Sequence, residues 1–235
     1  MDAFVTHDKI NPLVADLLTA EAWKGQVFPL IHKEVAKLSS IKSYICMYHE
    51  ASICNLLEVM LYHRTACESS EDGLVELIDY CYRKFVDLVN RGDEIVKAQT
   101  AAPKEADPRA YLDITAEQEL AKQAKEIDFS CTMIGFSLIR FITDHMEALS
   151  VPVVHQMMEN NDLPCVLVPL LELKPWLRKN SKGEDEKWED QRWQVVPKAE
   201  SSKVTKIEAQ IWLAIYNMFL SQDTNRKYEV TSFRK

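Results

Sequence analysis

Residues 10–23 read INPLVADLLTAEAW and residues 163–176 read LPCVLVPLLELKPW. An offset of 153 lays Ile10 on Leu163, Leu17-Leu18 on Leu170-Leu171 and Trp23 on Trp176, with a proline early in each stretch. A long-range repeat of this kind decides the fold. Stacked units bury their apolar faces against neighbours, and a missed repeat misreads the whole architecture.

Working outward, helical periodicity dominates. After Ala51, residues Ile53, Leu56, Leu57, Met60 and Leu61 follow the spacing of one helix face, and Leu74, Leu77, Ile78, Cys81, Phe85, Leu88 and Val89 do the same after Gly73. A longer helix is expected after Thr115, whose spacing to Gln118 offers a capping box. Its stripe is Leu120, Ile127, Cys131, Ile134, Leu138, Phe141, His145 and Leu149; from Phe129 a second stripe (Met133, Phe136, Ile139) predicts burial nearly all round. Residues 209–220, AQIWLAIYNMFL, are too short to span a bilayer and read as a buried helix. No period-2 strand pattern stands out, so the class is all-α. Residues 91–112 and 178–203, rich in charge, read as mobile loops on a single helical domain spanning 1–235, with Trp188 and Trp193 of the second tucked back onto the body.

Three of the strongly apolar helices share a register. Ile53-Cys-Asn55-Leu-Leu57, Leu138-Ile-Arg140-Phe-Ile142 and Ile215-Tyr-Asn217-Met-Phe219 each set a polar side chain among apolar neighbours, 85 and then 77 residues apart. Each step is close to two units of roughly 40 residues. A proline-started helix followed by a buried helix with a polar residue resembles the armadillo repeat, which implies an armadillo/HEAT-like α-solenoid. The 45 residues from Ile10 to Asn55 exceed a tidy armadillo unit. In such solenoids, asparagines at these positions line a groove and bond an extended peptide. The alternative is that Asn55, Arg140 and Asn217 satisfy neighbouring loop carbonyls.

Composition narrows the chemistry. The chain has 235 residues, net charge −8 and only five glycines, which argues against a β-sandwich or a nucleotide-cradling α/β sheet. Residues 46–95 hold ten acids against four bases. With no basic tract, nucleic acid is not an expected partner. Residues 1–10, MDAFVTHDKI, lack the pattern of a signal peptide, and six cysteines scattered singly among apolar residues fit a reducing cytosol. The cluster Glu68, Glu71, Asp72, Glu76 and Asp79 has no base within it. Glu71 and Asp72 would oppose the dipole of a first helical turn, and the cluster otherwise offers an acidic face to a basic partner.

Catalytic and metal motifs are missing. Cys46 and His49 could share a helix side, but Cys54 lies about 140° round from His49, and His63 with Cys67 makes only two ligands. No nucleophile elbow, phosphate-cradling glycine loop or C-x-x-C occurs. His145 reads as a hydrogen-bonded core histidine. No enzyme and no cofactor are expected, and a chemistry built on Cys67 or His63 is the weakest alternative.

Residues 5–24, 48–84, 161–176, 209–221 and the final YEVTSF (228–233) together resemble the MYND-type zinc-finger proteins that act as axonemal dynein arm assembly factors. The likeness thins in residues 91–126 and 178–205. That family carries a C-terminal zinc finger of clustered Cys and His, and no such spacing occurs here, so the chain is expected to be the helical region upstream of the finger. The resemblance implies cytoplasmic co-chaperone work with Hsp90-type machinery, dynein assembly factors and dynein heavy chains as protein partners. Centriolar satellites or the apical cytoplasm of ciliated cells are the narrower locations it implies. The alternatives are an architectural helical module that only presents the finger, or a generic armadillo-like adaptor unrelated to dynein.

Overall fold

The computed structural model describes residues 2–38, 40–101, 114–197, 200 and 203–220. The chain opens with α1 (Asp2–Thr6) and α2 (Ile10–Ala22), and a π-helical turn, Trp23–Val27, leads into α3 (Phe28–Ala36). Then come α4 (Ser40–Leu61), α5 (Arg64–Glu68), α6 (Glu71–Asn90), α7 (Gly92–Gln99) and the longest helix, α8 (Ala116–Asp144). After α9 (Val151–His155) and α10 (Leu163–Leu173), three strands follow: β1 (Leu177–Lys179), β2 (Asp185–Glu189) and β3 (Arg192–Val195). Helix α11 (Lys206–Leu220) is the last described element. None of these helices is long and apolar enough to cross a membrane.

The main helices form two layers. Helix α8 packs between α4 and α11, while α2, α6 and α10 line up behind them, α6 touching both of its layer neighbours as well as α8. Within each layer the helices run parallel. From α2 to α6, Asn11 accepts from the Gly73 amide at 3.1 Å and Glu21 pairs with Arg83 at 2.5 Å, both across 62 residues. From α4 to α8, Glu58 bonds Ser137 and Tyr62 meets Phe141, each pair 79 residues apart. Between layers the direction reverses, since Lys84 reaches Asp128 while Phe85 stacks on Phe136 at 4.5 Å.

The two matching stretches of sequence therefore become α2 and α10, the outer members of one layer, while Asn55, Arg140 and Asn217 sit on α4, α8 and α11, the whole of the other. Between successive helices of this second layer the chain passes through one main helix of the first, α6 and then α10, so the spacings of 85 and 77 do not each divide into two units of roughly 40 residues.

Local sequence explains why each layer closes. Helix α8 starts on a complete capping box: the Gln118 amide donates to Thr115 Oγ1 and the Thr115 amide to Gln118 Oε1. Its second half is buried on nearly every side from Ser130 to Phe136, because α4, α6 and α11 surround it. Gly135 permits that crowding: an added Cβ would lie 3.2 Å from the Phe85 ring. The helix ends at Asp144, so His145 and Leu149 fall beyond it, and the next helix starts afresh with Pro152 in its first turn.

Several expectations are corrected. Residues 92–99 are helical, not loop: Asp93 and Glu94 suit the first turn, Lys97 the last, and Gln99 donates to the carbonyls of Leu173 and Lys174 at 2.7 and 3.0 Å. Residues 102–112 of that stretch lie outside the described residues, as do 198–199, 201–202 and the YEVTSF segment. The charged insert holds an antiparallel meander in the order β1-β2-β3. Trp188 pairs across strands with Trp193, and both contact Phe129 of α8 at 5.1 and 5.5 Å, so the tryptophans do fold back onto the body. Helix α11 is not buried all round. Ile211, Ala214, Ile215 and Met218 face inward, but Trp212, Leu213, Tyr216 and Leu220 are exposed because α11 is the outer member of its layer.

Candidate interaction face

The face of the α4–α8–α11 layer carries the expected polar residues. On α4, Tyr44, Tyr48, Asn55, Val59 and Tyr62 recur at spacings of four, seven, four and three residues, so they share one side of the helix. Tyr44, Val59 and Tyr62 are exposed. The inner side of the same helix supplies Met47, Ala51, Cys54 and Leu61 to the core.

Arg140, Asp144 and Asn217 form one cluster. Arg140 forms an ion pair with Asp144, and Asn217 Nδ2 donates to the other Asp144 oxygen at 2.8 Å. Asp144 thereby joins α8 to α11, a residue that the apolar-periodicity argument passed over. Leu213 and Leu220, one turn either side of Asn217, are exposed.

Asn55 stands apart from that cluster. The α4–α8 offset of 79 puts it level with Ile134, almost two turns before Arg140, so the three polar residues do not form one row. Asn55 Oδ1 instead accepts from Gln191 Nε2 at 2.6 Å, while Tyr48 donates to Gln191 at 3.4 Å. Gln191 is at the tip of the β2–β3 hairpin, next to Asp190, which accepts from Lys206 at 3.1 Å. The hairpin thus touches α4, α8 and α11; it lies over the middle of α4 and α8 and the start of α11, toward the end of the face away from Tyr62. Its two tip residues have φ of 51° and 59°, the left-handed pair a tight two-residue hairpin needs.

Beyond the hairpin the face is open. There Tyr62 meets Phe141 edge-on at 5.5 Å, and half-buried Glu58 accepts a hydrogen bond from Ser137. Burial pushes the Glu58 carboxyl above its ordinary value, and the Ser137 bond only partly offsets this.

Behind this face lies a closed ionic cluster that sequence reasoning missed. Glu50 of α4, 2% exposed, accepts from Lys84 at 2.9 Å, Lys24 at 3.0 Å and the Tyr80 hydroxyl at 2.8 Å. Lys84 also pairs with Asp128 at 2.7 Å. Burial alone would raise both carboxyls, but the lysines overturn that and hold Glu50 and Asp128 below their ordinary values; the same partners raise Lys84. Every charge in it has an opposite neighbour, so the cluster ties four helical segments together. Each of the four side chains reads in sequence as an ordinary surface charge, and only the tertiary fold brings them together.

The acidic run begins with Glu68 of α5, just past the open end of the face, and continues on α6 in the layer behind it. Glu71 and Asp72 occupy the first turn of α6, the structural role expected of them. Glu68 pairs with Arg64 at 2.7 Å and Asp79 with Arg83, while Glu76 lies within the field of Arg83. Bases flanking the run therefore compensate much of its charge.

Among the described residues no group of three His, Cys, Asp or Glu could hold a metal ion. Burial pushes the Cys67 thiol up to about 12, with Glu68 adding to the effect, the opposite of what an activated nucleophile needs. His145 is not a hydrogen-bonded core residue: it caps the end of α8 half-buried, and its Nε2 has no partner, because the helix stops one residue before it. A cleft between the meander and α10–α11 is bordered by ion pairs, among them Lys174 with Glu208 and Arg178 with Glu186.

No family model matches the chain, and no solved structure matches it. Over 231 residues, 98% of its length, it is 25% identical to the zinc finger MYND domain-containing protein 10 homolog of Drosophila melanogaster. It spans about half of that relative, 49% of its length. The resemblance to MYND-type zinc-finger proteins thus runs the length of both helical layers and does not depend on any one site residue.

Proposed function

We propose that this chain is a non-catalytic protein-interaction scaffold, a short armadillo-like solenoid whose α4–α8–α11 face receives an extended segment of a partner. Its work is that of a cytoplasmic co-chaperone or adaptor in the preassembly of axonemal dynein arms, alongside Hsp90-type machinery. One observation carries the binding reading: exposed Tyr44, Val59, Tyr62, Leu213 and Leu220 share a face with Asn55, Arg140 and Asn217. Apolar area interleaved with amide and guanidinium groups suits an extended peptide, which needs side-chain contacts and partners for its backbone. The dynein assignment rests on the resemblance along the chain.

The test is a quantitative pull-down from ciliating-cell cytosol with the 235-residue chain and its Asn55→Ala/Arg140→Ala/Asn217→Ala variant, matched for helicity and melting. Enrichment of dynein chains or chaperone factors on the parent and their loss on the variant supports the reading. Equal capture by both removes the face from the account.

A second reading has its own support. Asn55 is already engaged by the chain's own Gln191, as expected of a platform with little affinity that serves to present a zinc finger. Capture by an isolated finger equal to that of the full protein, with none by this chain, would favour it.

A further inference from the structure

The charge balance at the open end of the face identifies the kind of partner. Of the carboxylates there, Asp144 is paired with Arg140, and Glu68 just beyond Tyr62 is paired with Arg64. Glu147, past the end of α8, has Arg64 as its near cation, and that guanidinium is committed to Glu68. Glu58 has no ion-pair partner among the described residues; the group that meets it across the seam is a neutral hydroxyl, that of Ser137. The end therefore holds more carboxylates than cations, with the least compensated one set between two helices.

The surroundings of Glu58 are shaped for a long cationic side chain. One turn further along both helices, Tyr62 and Phe141 form an aromatic wall. That wall already takes a cation on one side, where the Arg140 guanidinium lies 5.4 Å from the Phe141 ring centroid. Tyr62 itself is 63% exposed, which leaves its surface open to a second. Across α8, the Asp144–Asn217 pair supplies a carboxylate and an amide within the same stretch of the face.

We propose that the α4–α8 seam seats a lysine or arginine of an extended partner segment, with Glu58 accepting the cation and Tyr62 and Phe141 lining its stem. The proposal rests on the reading of this face as a binding surface and adds the chemistry of what it binds. Burial disfavours a lone Glu58 carboxylate, and a docked cation would relieve that cost. Desolvated charge pairs of this sort are also where specificity between partners arises.

The experiment is a positional scan of short synthetic peptides captured by the 235-residue chain, by Glu58→Gln and by Tyr62→Ala. Glutamine keeps an acceptor for Ser137 and nearly the shape of glutamate, and thermal melts confirm that each variant is folded. The expected result is selection of Lys or Arg over norleucine at one position. That preference falls about tenfold in Glu58→Gln, in line with roughly 1.4 kcal/mol per decade of affinity, and also declines in Tyr62→Ala. A preference unchanged in Glu58→Gln, or selection of acidic or only apolar residues, overturns the cation seat and leaves the face as a binding surface. If the parent captures no peptide above the Asn55→Ala/Arg140→Ala/Asn217→Ala variant, the face reading fails and the seat fails with it.

Discussion

Glu50 and Glu58 lie two turns apart on α4, Glu50 turned to α6 and the π-helical turn after α2, Glu58 to α8. One is closed off by two lysines and a tyrosine hydroxyl, and its carboxyl is held below the ordinary value. The other meets a single serine and its carboxyl is held above it. The same side chain on the same helix thus serves two purposes: inside, a completed network that fixes helix positions; at the open end, a charge left without a counterion. Completed ionic clusters belong to architecture, and incomplete ones at a surface invite a partner.

The sharpest way to break the contrast is Glu50→Gln, which leaves Lys24 and Lys84 with Asp128 alone. Urea unfolding should show a loss of about 3 kcal/mol, the usual cost of removing one partner from a buried pair; a loss below about 1 kcal/mol would mean that the cluster is not a fixed element of the core. Next, Asp144→Ala should cost about 1–2 kcal/mol by separating α8 from α11 and stranding Arg140. It should raise amide exchange in α11 more than in α4. Gln191→Ala should cost about 0.5–1 kcal/mol and make Tyr48 more accessible to iodination. Unaltered iodination would show that the hairpin tip does not cover that end of the face.

The smallest stability effect is expected at Glu58, and its pH dependence has the opposite sign. Glu50 and Asp128 have lowered values, so their contribution is present above the ordinary carboxyl range and lost as pH falls through the lowered ones. Glu58 has a raised value, so the folded chain holds that proton more tightly, and the stability it gives is present at low pH and lost as pH rises through it. Melting temperatures across an acid series should therefore show Glu58→Gln no less stable than the parent at neutral pH, with the gap closing on acidification. A Glu58→Gln variant clearly less stable at neutral pH would mean the carboxylate has a cation partner in the fold.

Much of the helical layer was legible because its signals are local. The stripe of α6 from Leu74 to Leu88, the Thr115–Gln118 cap and the two-sided burial of α8 each follow from spacing within one segment. Residues 10–23 and 163–176, matched in sequence, fall on α2 and α10, the two outer helices of one layer. The meander was hidden because its strands are short and charged, and its turn uses Asp190-Gln191 in place of the Asn-Gly that announces a two-residue hairpin. Helix α7 was masked by the Ala/Pro-rich residues after it. The row of three polar residues failed for a geometric reason: the level of a residue on its neighbour depends on how helices shift along each other. Asn55 falls opposite Ile134 through that shift, which no single segment encodes.

Because α4, α8 and α11 run parallel, their carboxyl ends gather at one edge, where Tyr62, Asp144 and Leu220 lie. Three carboxyl ends add along the outer face of that edge, while the antiparallel layer behind opposes them with its amino ends, on a chain that is acidic overall. The negative field of the excess carboxylates gathered at that edge orients an approaching cationic segment before contact. Its reach is about one Debye length, near 8 Å at physiological ionic strength, so the rate of encounter depends on salt, while the residence time is set by the groups that the segment finally touches.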